Sequence, residues 1–186
     1  MSRRVLGLLT LVIGAALCLP AAGQTQACFR GRPRPTCASF WITETGYTRW
    51  TNPPPHETPN YFTTELGWMR NVSSRDALGG SLQLAAYGDF DWRLAFKPRY
   101  RRWLGRGVRL DVAPGGYWGL AGTLGSGIMV EAGLNYQDRV ALVGRADKVG
   151  NSWNSYYGFK LGSQLGVAAA AVGAFVVGLL ALTFSY

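Results

Sequence analysis

The sequence predicts an all-β membrane protein: an eight-stranded antiparallel transmembrane β-barrel with an apolar C-terminal segment. Three observations lead there. Between Phe90 and Arg102, large apolar groups (Phe90, Trp92, Leu94, Phe96, Pro98, Tyr100) alternate strictly with Asp91, Arg93, Ala95, Lys97, Arg99 and Arg101. Side chains of a strand point to opposite faces in turn, so one strand carries an aromatic-apolar face and a charged one. That is the pattern of a wall with lipid outside and a polar lumen inside. The second observation is composition. Only 16% of residues are charged, while the chain carries 25 Gly, 7 Trp and 9 Tyr, which suits tight turns and interfacial aromatic girdles rather than a soluble helical domain. The third is an export signal. Ser2-Arg3-Arg4 is basic, Val5 to Leu19 is apolar, and Ala21-Ala22-Gly23 offers small residues for cleavage before Gln24.

Residues 1–23 are therefore read as a signal peptide and 24–38 as a basic leader. Losing Arg3 and Arg4 leaves 17 basic against 10 acidic residues, a formal charge of +7. An exported chain rarely meets nucleic acid, so none is expected as a partner; membrane lipids, through lipopolysaccharide phosphates or phospholipid head groups, are the expected ones. In the leader, Arg30, Arg32, Pro33, Arg34 and Pro35 lie between Cys28 and Cys37. An exported pair of cysteines is expected to form a disulfide. The sole histidine, His56, is remote from them, so no metal site or cofactor is expected.

The barrel is expected over residues 39–163. Strands are read at Phe40–Trp50, Tyr61–Val72, Ser81–Tyr87, Phe90–Arg102, Val108 to about Leu120, Ile128–Tyr136, Arg139–Asp147 and Trp153–Leu161. Ser73-Ser74-Arg75-Asp76, Gly88-Asp89, Gly105-Arg106-Gly107 and Gln137-Asp138 supply turns, and Gly115-Gly116 reads as a bend. The first strand carries a blemish, because Glu44 shares its face with Phe40 and Ile42. Eight is the smallest even number of strands that closes a transmembrane barrel, and closure is required because hydrocarbon cannot satisfy an open sheet edge.

Residues 164–186 carry no charge. Leu165 to Phe184 is long enough to span a bilayer as a helix, and Gly166, Ala170, Ala174 and Gly178 would give it a small-residue stripe for packing on the wall or on a membrane-protein partner. Leu180, Leu182, Phe184 and Tyr186 alternate and would equally suit a closing strand. The helix is preferred, since eight strands are already complete and Val167 to Val177 does not alternate.

Inward parity places Glu65, Asp91, Arg93, Lys97, Arg99, Arg101, Arg109, Asp111, Glu131, Arg145 and Lys160 in the lumen. An eight-stranded barrel is just wide enough for side chains to fill, so these groups are expected to pair with one another. Because bases outnumber acids among them, passage of a small anion or ligand binding stays open as an alternative. Catalysis is not expected: His56 has Glu57 and Thr58 beside it but no His-X-Ser pairing, and a lipid-modifying enzyme is the third reading.

With these strands laid out, and with Phe90–Arg102 and Trp153–Gly162 as examples of their aromatic alternation, the chain resembles the small eight-stranded outer-membrane barrels of the outer-membrane protein A and X type. The likeness covers roughly Ser39 to Gly162. It implies an outer-membrane location in a Gram-negative-type bacterium, a packed polar interior, and a part in envelope integrity, adhesion or lipid contact. Short loops and the apolar tail depart from that pattern.

Overall fold

The structure is a computed structural model that describes residues 27–28, 31–33, 36–53, 60–87, 91–121, 125–162 and 166–167. The expected signal peptide, His56, the expected turn at Gly88-Asp89 and nearly all of the C-terminal segment lie outside these residues. Alternation becomes strand at β2 (Ser39–Trp50), β3 (Asn60–Asn71), β4 (Asp76–Tyr87), β5 (Trp92–Gly105), β6 (Val108–Ala121), β7 (Gly127–Tyr136), β8 (Val140–Val149) and β9 (Ser152–Gly162). Each pairs antiparallel with the next, and β9 returns to β2, so the sheet closes. A two-residue strand, β1 (Ala27–Cys28), joins the edge by parallel pairing with Ser39 and Phe40 of β2.

The register sets the geometry. Hydrogen-bonded neighbours lead from Ser39 through Arg70, Leu78, Tyr100, Val112, Ala132, Gly144 and Tyr157 back to β2 at Arg49, ten residues beyond the start. With about 3.3 Å per residue along a strand and about 4.8 Å between strands, that stagger tilts the strands by about 40°. A ten-residue strand at this tilt rises about 25 Å, the height of an apolar band in a membrane barrel.

The two faces differ as the alternation requires. Leu110, Leu134, Leu142, Phe159, Tyr47 and Phe62 are successive cross-strand partners on the outer face, and Leu142 and Phe62 expose 68% and 62% of their surface. A continuous apolar belt of this kind is at home in lipid and out of place in water. Facing inward, Lys97 and Arg101 are 0% exposed. The chain is a membrane β-barrel, turned out relative to a soluble protein.

Three sequence readings change. β4 starts at Asp76 rather than Ser81, because Gly79 and Gly80 hide the alternation. Gly79 lies against β3, and a Cβ there would come within 2.1 Å of the Trp68 carbonyl oxygen. Gly115-Gly116 forms no bend: both lie within β6, and a Cβ on Gly115 would meet the Phe96 carbonyl oxygen at 2.4 Å. Finally, Phe40 and Ile42 face inward together with Glu44. They pack with Met69 and Ala77 just inside one rim, so the supposed blemish is an apolar stopper above a charged interior.

Between successive wall strands, one rim carries only short turns, of two to four residues. Arg139 N donates to Tyr136 O at 3.0 Å across Gln137 and Asp138, whose φ values of 52° and 59° are both left-handed, within a three-residue connection between Tyr136 and Val140. Gly105, Arg106 and Gly107 also have positive φ. The other rim carries the connections between β2 and β3, β4 and β5, β6 and β7, and β8 and β9.

Candidate functional site: the charged interior

Glu65, in mid-β3, is the hub of the interior. Its Oε2 accepts from Lys97 Nζ at 2.7 Å and Lys160 Nζ at 2.8 Å, and its Oε1 accepts from Arg99 Nη1 at 2.9 Å. The Ser81 hydroxyl also donates to it. Both lysines reach across to Glu131 as well, Lys97 at 3.2 Å. One ring of charge is thus built from β3, β5, β7 and β9. Each of its strands supplies an inward side chain at the same level, because the stagger brings distant sequence positions into one layer.

Toward the short-turn rim, Arg99 also donates to Glu44 at 3.0 and 3.2 Å and to Asp111 at 3.1 Å. Arg101 makes a bidentate pair with Asp111, 2.6 Å on both arms, and reaches Asp138 at 3.0 Å. Arg109 closes the series on Asp138 at 2.8 Å. Planar guanidinium forks suit such two-oxygen contacts better than point-like ammonium groups do.

The leader covers this end. Cys28 and Cys37 form a disulfide with Cα atoms 5.9 Å apart. Within the loop they close, Gly31 is buried; its N–H donates to Asp138 Oδ2 at 3.0 Å and its carbonyl accepts from Arg109 Nη1 at 3.2 Å. A Cβ on Gly31 would lie 2.8 Å from the Arg101 guanidinium. The Asn71 amide donates to the carbonyls of Arg32 and Cys37, at 2.6 and 2.8 Å, and accepts from Trp103 Nε1. The leader is therefore seated in the barrel mouth, not merely tethered beside it.

Toward the other rim the chemistry changes. Asp147 Oδ2 accepts from Arg93 at 3.2 Å and Arg145 Nη2 at 2.7 Å, while Arg145 Nη1 reaches Gln83 at 3.3 Å. Aromatic faces supply the remaining contacts. Arg93 lies 4.7 Å from the Tyr87 ring centre and 4.6 Å from that of Tyr117; Arg145 lies over Tyr61 and Tyr156 at 5.3 and 5.6 Å. A cation over a ring face is attracted by its quadrupole, more strongly when water is excluded.

Ten of the eleven residues singled out from sequence are buried in this interior. The eleventh, Asp91, precedes β5 at the rim and is half-buried. Three carboxylates were missed: Glu44, Asp138 and Asp147. Asp147 had a signal, since it shares parity with Arg145 two residues earlier. Glu44 was masked by its apolar neighbours Phe40 and Ile42, and Asp138 lies in a turn, where parity does not apply. Their arrival alters the balance. Among the described residues, seven buried cations (Arg93, Lys97, Arg99, Arg101, Arg109, Arg145, Lys160) face six buried carboxylates (Glu44, Glu65, Asp111, Glu131, Asp138, Asp147). The surplus of three bases over acids among the sequence candidates shrinks to one. Between Glu44, Arg99, Asp111, Glu131 and Lys160 lies a void of about 10 Å³, near the smallest volume that holds one water.

No family model and no curated protein sequence matches the chain. Among solved structures it is similar to a de novo designed transmembrane β-barrel, with TM-score 0.45 and 14% identity over 72% of this chain and 98% of that one. It is likewise similar to the Yersinia pestis outer membrane protein Ail, with TM-score 0.45 and 12% identity over 66% of this chain and 97% of Ail. A second designed barrel, TMB2.3, aligns with TM-score 0.41 and 11% identity over 65% and 91%. The likeness is architectural.

Proposed function

We propose that this protein is a non-enzymatic outer-membrane β-barrel of a Gram-negative-type bacterium, with a structural or interaction role in the cell envelope. The observation that carries the reading is how the interior is filled. Buried cations and carboxylates engage one another from rim to rim, and the 10 Å³ void beside Glu44 and Lys160 is too small for a substrate or a hydrated ion. Groups held in mutual ion pairs are poorly placed to act as general bases or to strip an ion of water. Function then falls to the outer wall, the rims and the connecting segments. A barrel, an export signal and a disulfide leader together favour the outer membrane, where closed strand walls are the usual spanning structure.

Reconstituted into liposomes, the full chain is expected to show the heat-modifiable gel mobility of a folded barrel and no chloride or small-solute flux above that of empty vesicles. Sustained flux would replace the structural reading with passage through the basic lumen. Changed envelope lipid chemistry on comparing His56→Ala with wild type would instead favour a lipid-modifying enzyme.

A further inference from the structure

The short-turn rim bears a collar of arginines that the interior does not use. Arg70 points outward at the end of β3, two residues beyond Trp68, and Arg102 points outward on β5, two residues beyond Tyr100. Arg75 and Arg106 occupy turns, and Arg139 follows the Gln137-Asp138 turn; all five are exposed. Carboxylates at this rim are few. Asp138 is turned inside and held by Arg101, Arg109 and Gly31. Asp76 accepts from the Tyr100 hydroxyl at 2.6 Å and from Ser73 at 2.8 Å, and lies 3.8 Å from Arg102. Among the described residues, Arg70, Arg75, Arg106 and Arg139 make no ion pair. At the opposite rim, the described charges outside the buried interior are Arg49, Lys148 and Asp91.

Location decides what these cations meet. The cross-strand partner of Arg70 is Leu78, 50% exposed on the outer face, and that of Arg102 is Leu110, 36% exposed. Arg70 and Arg102 are thus set where the apolar belt gives way to the rim, with Arg75, Arg106 and Arg139 on the turns just beyond, beside a surface that suits a molecule whose chains lie along the belt and whose charge lies at its edge. A free phosphate or a soluble acidic protein would use the charge but leave the adjoining apolar wall unexplained. We infer that Arg70, Arg75, Arg106 and Arg139 form a binding surface for the phosphates of anionic glycerophospholipids in the leaflet at the short-turn rim. This rests on the membrane-barrel reading above. Arg102, partly engaged by Asp76, contributes less.

The test uses the full chain in phosphatidylcholine vesicles containing phosphatidylglycerol, with spin-labelled lipids reporting which species the wall retains. Wild type is expected to prefer phosphatidylglycerol by about fivefold or more, the order expected for even one basic residue near an anionic surface. That preference is expected to weaken as salt rises. The fourfold variant R70Q/R75Q/R106Q/R139Q is expected to lose it, and the corresponding lysine variant to keep most of it. Heat-modifiable mobility monitors folding throughout. A folded wild type without preference, or a preference that survives in the folded glutamine variant, overturns the collar alone. Should the glutamine variant not fold, a wild-type preference indifferent to salt overturns it equally. Stronger retention of lipopolysaccharide than of phosphatidylglycerol, lost in the glutamine variant, overturns the assignment to the phospholipid leaflet. Failure of wild type to fold in either vesicle brings down the membrane reading itself.

Discussion

The two ends of the barrel interior solve the same problem by different means. At the short-turn end, Arg99, Arg101 and Arg109 are met by Glu44, Asp111 and Asp138, and Gly31 adds backbone hydrogen bonds. At the other end Arg93 and Arg145 share Asp147, and the faces of Tyr61, Tyr87, Tyr117 and Tyr156 take the place of further carboxylates. The first arrangement depends on charge neutralisation, so losing one oxygen pair leaves a buried guanidinium short of counter-charge. The second spreads its contacts over many weakly polar atoms and tolerates loss of any one ring. Between them, Gln83 bonds to Arg145 and lies 3.4 Å from Glu65, joining the two ends.

That contrast can be broken at several points. Glu65→Ala strips an acceptor from Lys97, Lys160 and Arg99 at once. Removing one member of a buried pair costs about 3–5 kcal/mol, so a loss at or above the upper end of that range is expected, visible as a collapsed midpoint in urea unfolding followed by tryptophan fluorescence. Asp147→Asn is expected to cost about 3 kcal/mol in the same assay, less because the tyrosine faces remain over both arginines. Equality of the two losses would remove the distinction between the carboxylate-centred ring and the tyrosine-lined end. The pair C28S/C37S is expected to cost about 2–3 kcal/mol, as for a disulfide closing a short loop. It should also raise hydrogen exchange at the Gly31 amide, whereas an unchanged Gly31 would mean that the seat in the mouth needs no cross-link. Tyr87→Leu is the mildest, about 1 kcal/mol, since the Tyr117 ring still lies 4.6 Å from Arg93. A loss as large as that of Asp147→Asn would show that the rings, not the carboxylate, hold that end.

Much of this was legible in the sequence because a strand's period of two reports its facing directly. In β3, Phe62, Thr64, Leu66 and Trp68 face out, with Thr63, Glu65 and Met69 inside, as alternation predicts. Where the rule rests on side chains, glycine defeats it: Gly79-Gly80 concealed the first part of β4, and Gly115-Gly116 imitated a bend within β6. Apolar residues inside a rim defeat it differently, since Phe40 and Ile42 look like lipid-facing residues until Met69 and Ala77 are seen against them. Pairing across the lumen is not encoded in parity at all. That Glu65 meets Lys97 and Lys160 together follows from the ten-residue stagger, which emerges only when all eight registers are known. For the apolar tail, only Gly166 and Val167 are described; both are helical, and Gly166 O accepts from Thr45 Oγ1 at 2.9 Å on the outer face of β2.

The seam between β2 and β9 carries a consequence for how the protein is made. Seven residues of β2, Glu44 to Trp50, pair with β9, while Ser39 and Phe40 instead pair with β1. Every other junction in the wall joins neighbours in sequence and can zip from its own connection, but this one must bring residues more than a hundred positions apart into register. Loop-closure entropy makes such a junction late. Until it forms, β2 presents an unpaired edge, of which the disulfide-tied leader covers the first two residues once β1 is paired. In the finished wall the leader keeps those two residues, which β9 does not reach, covered against pairing with a second copy of the chain.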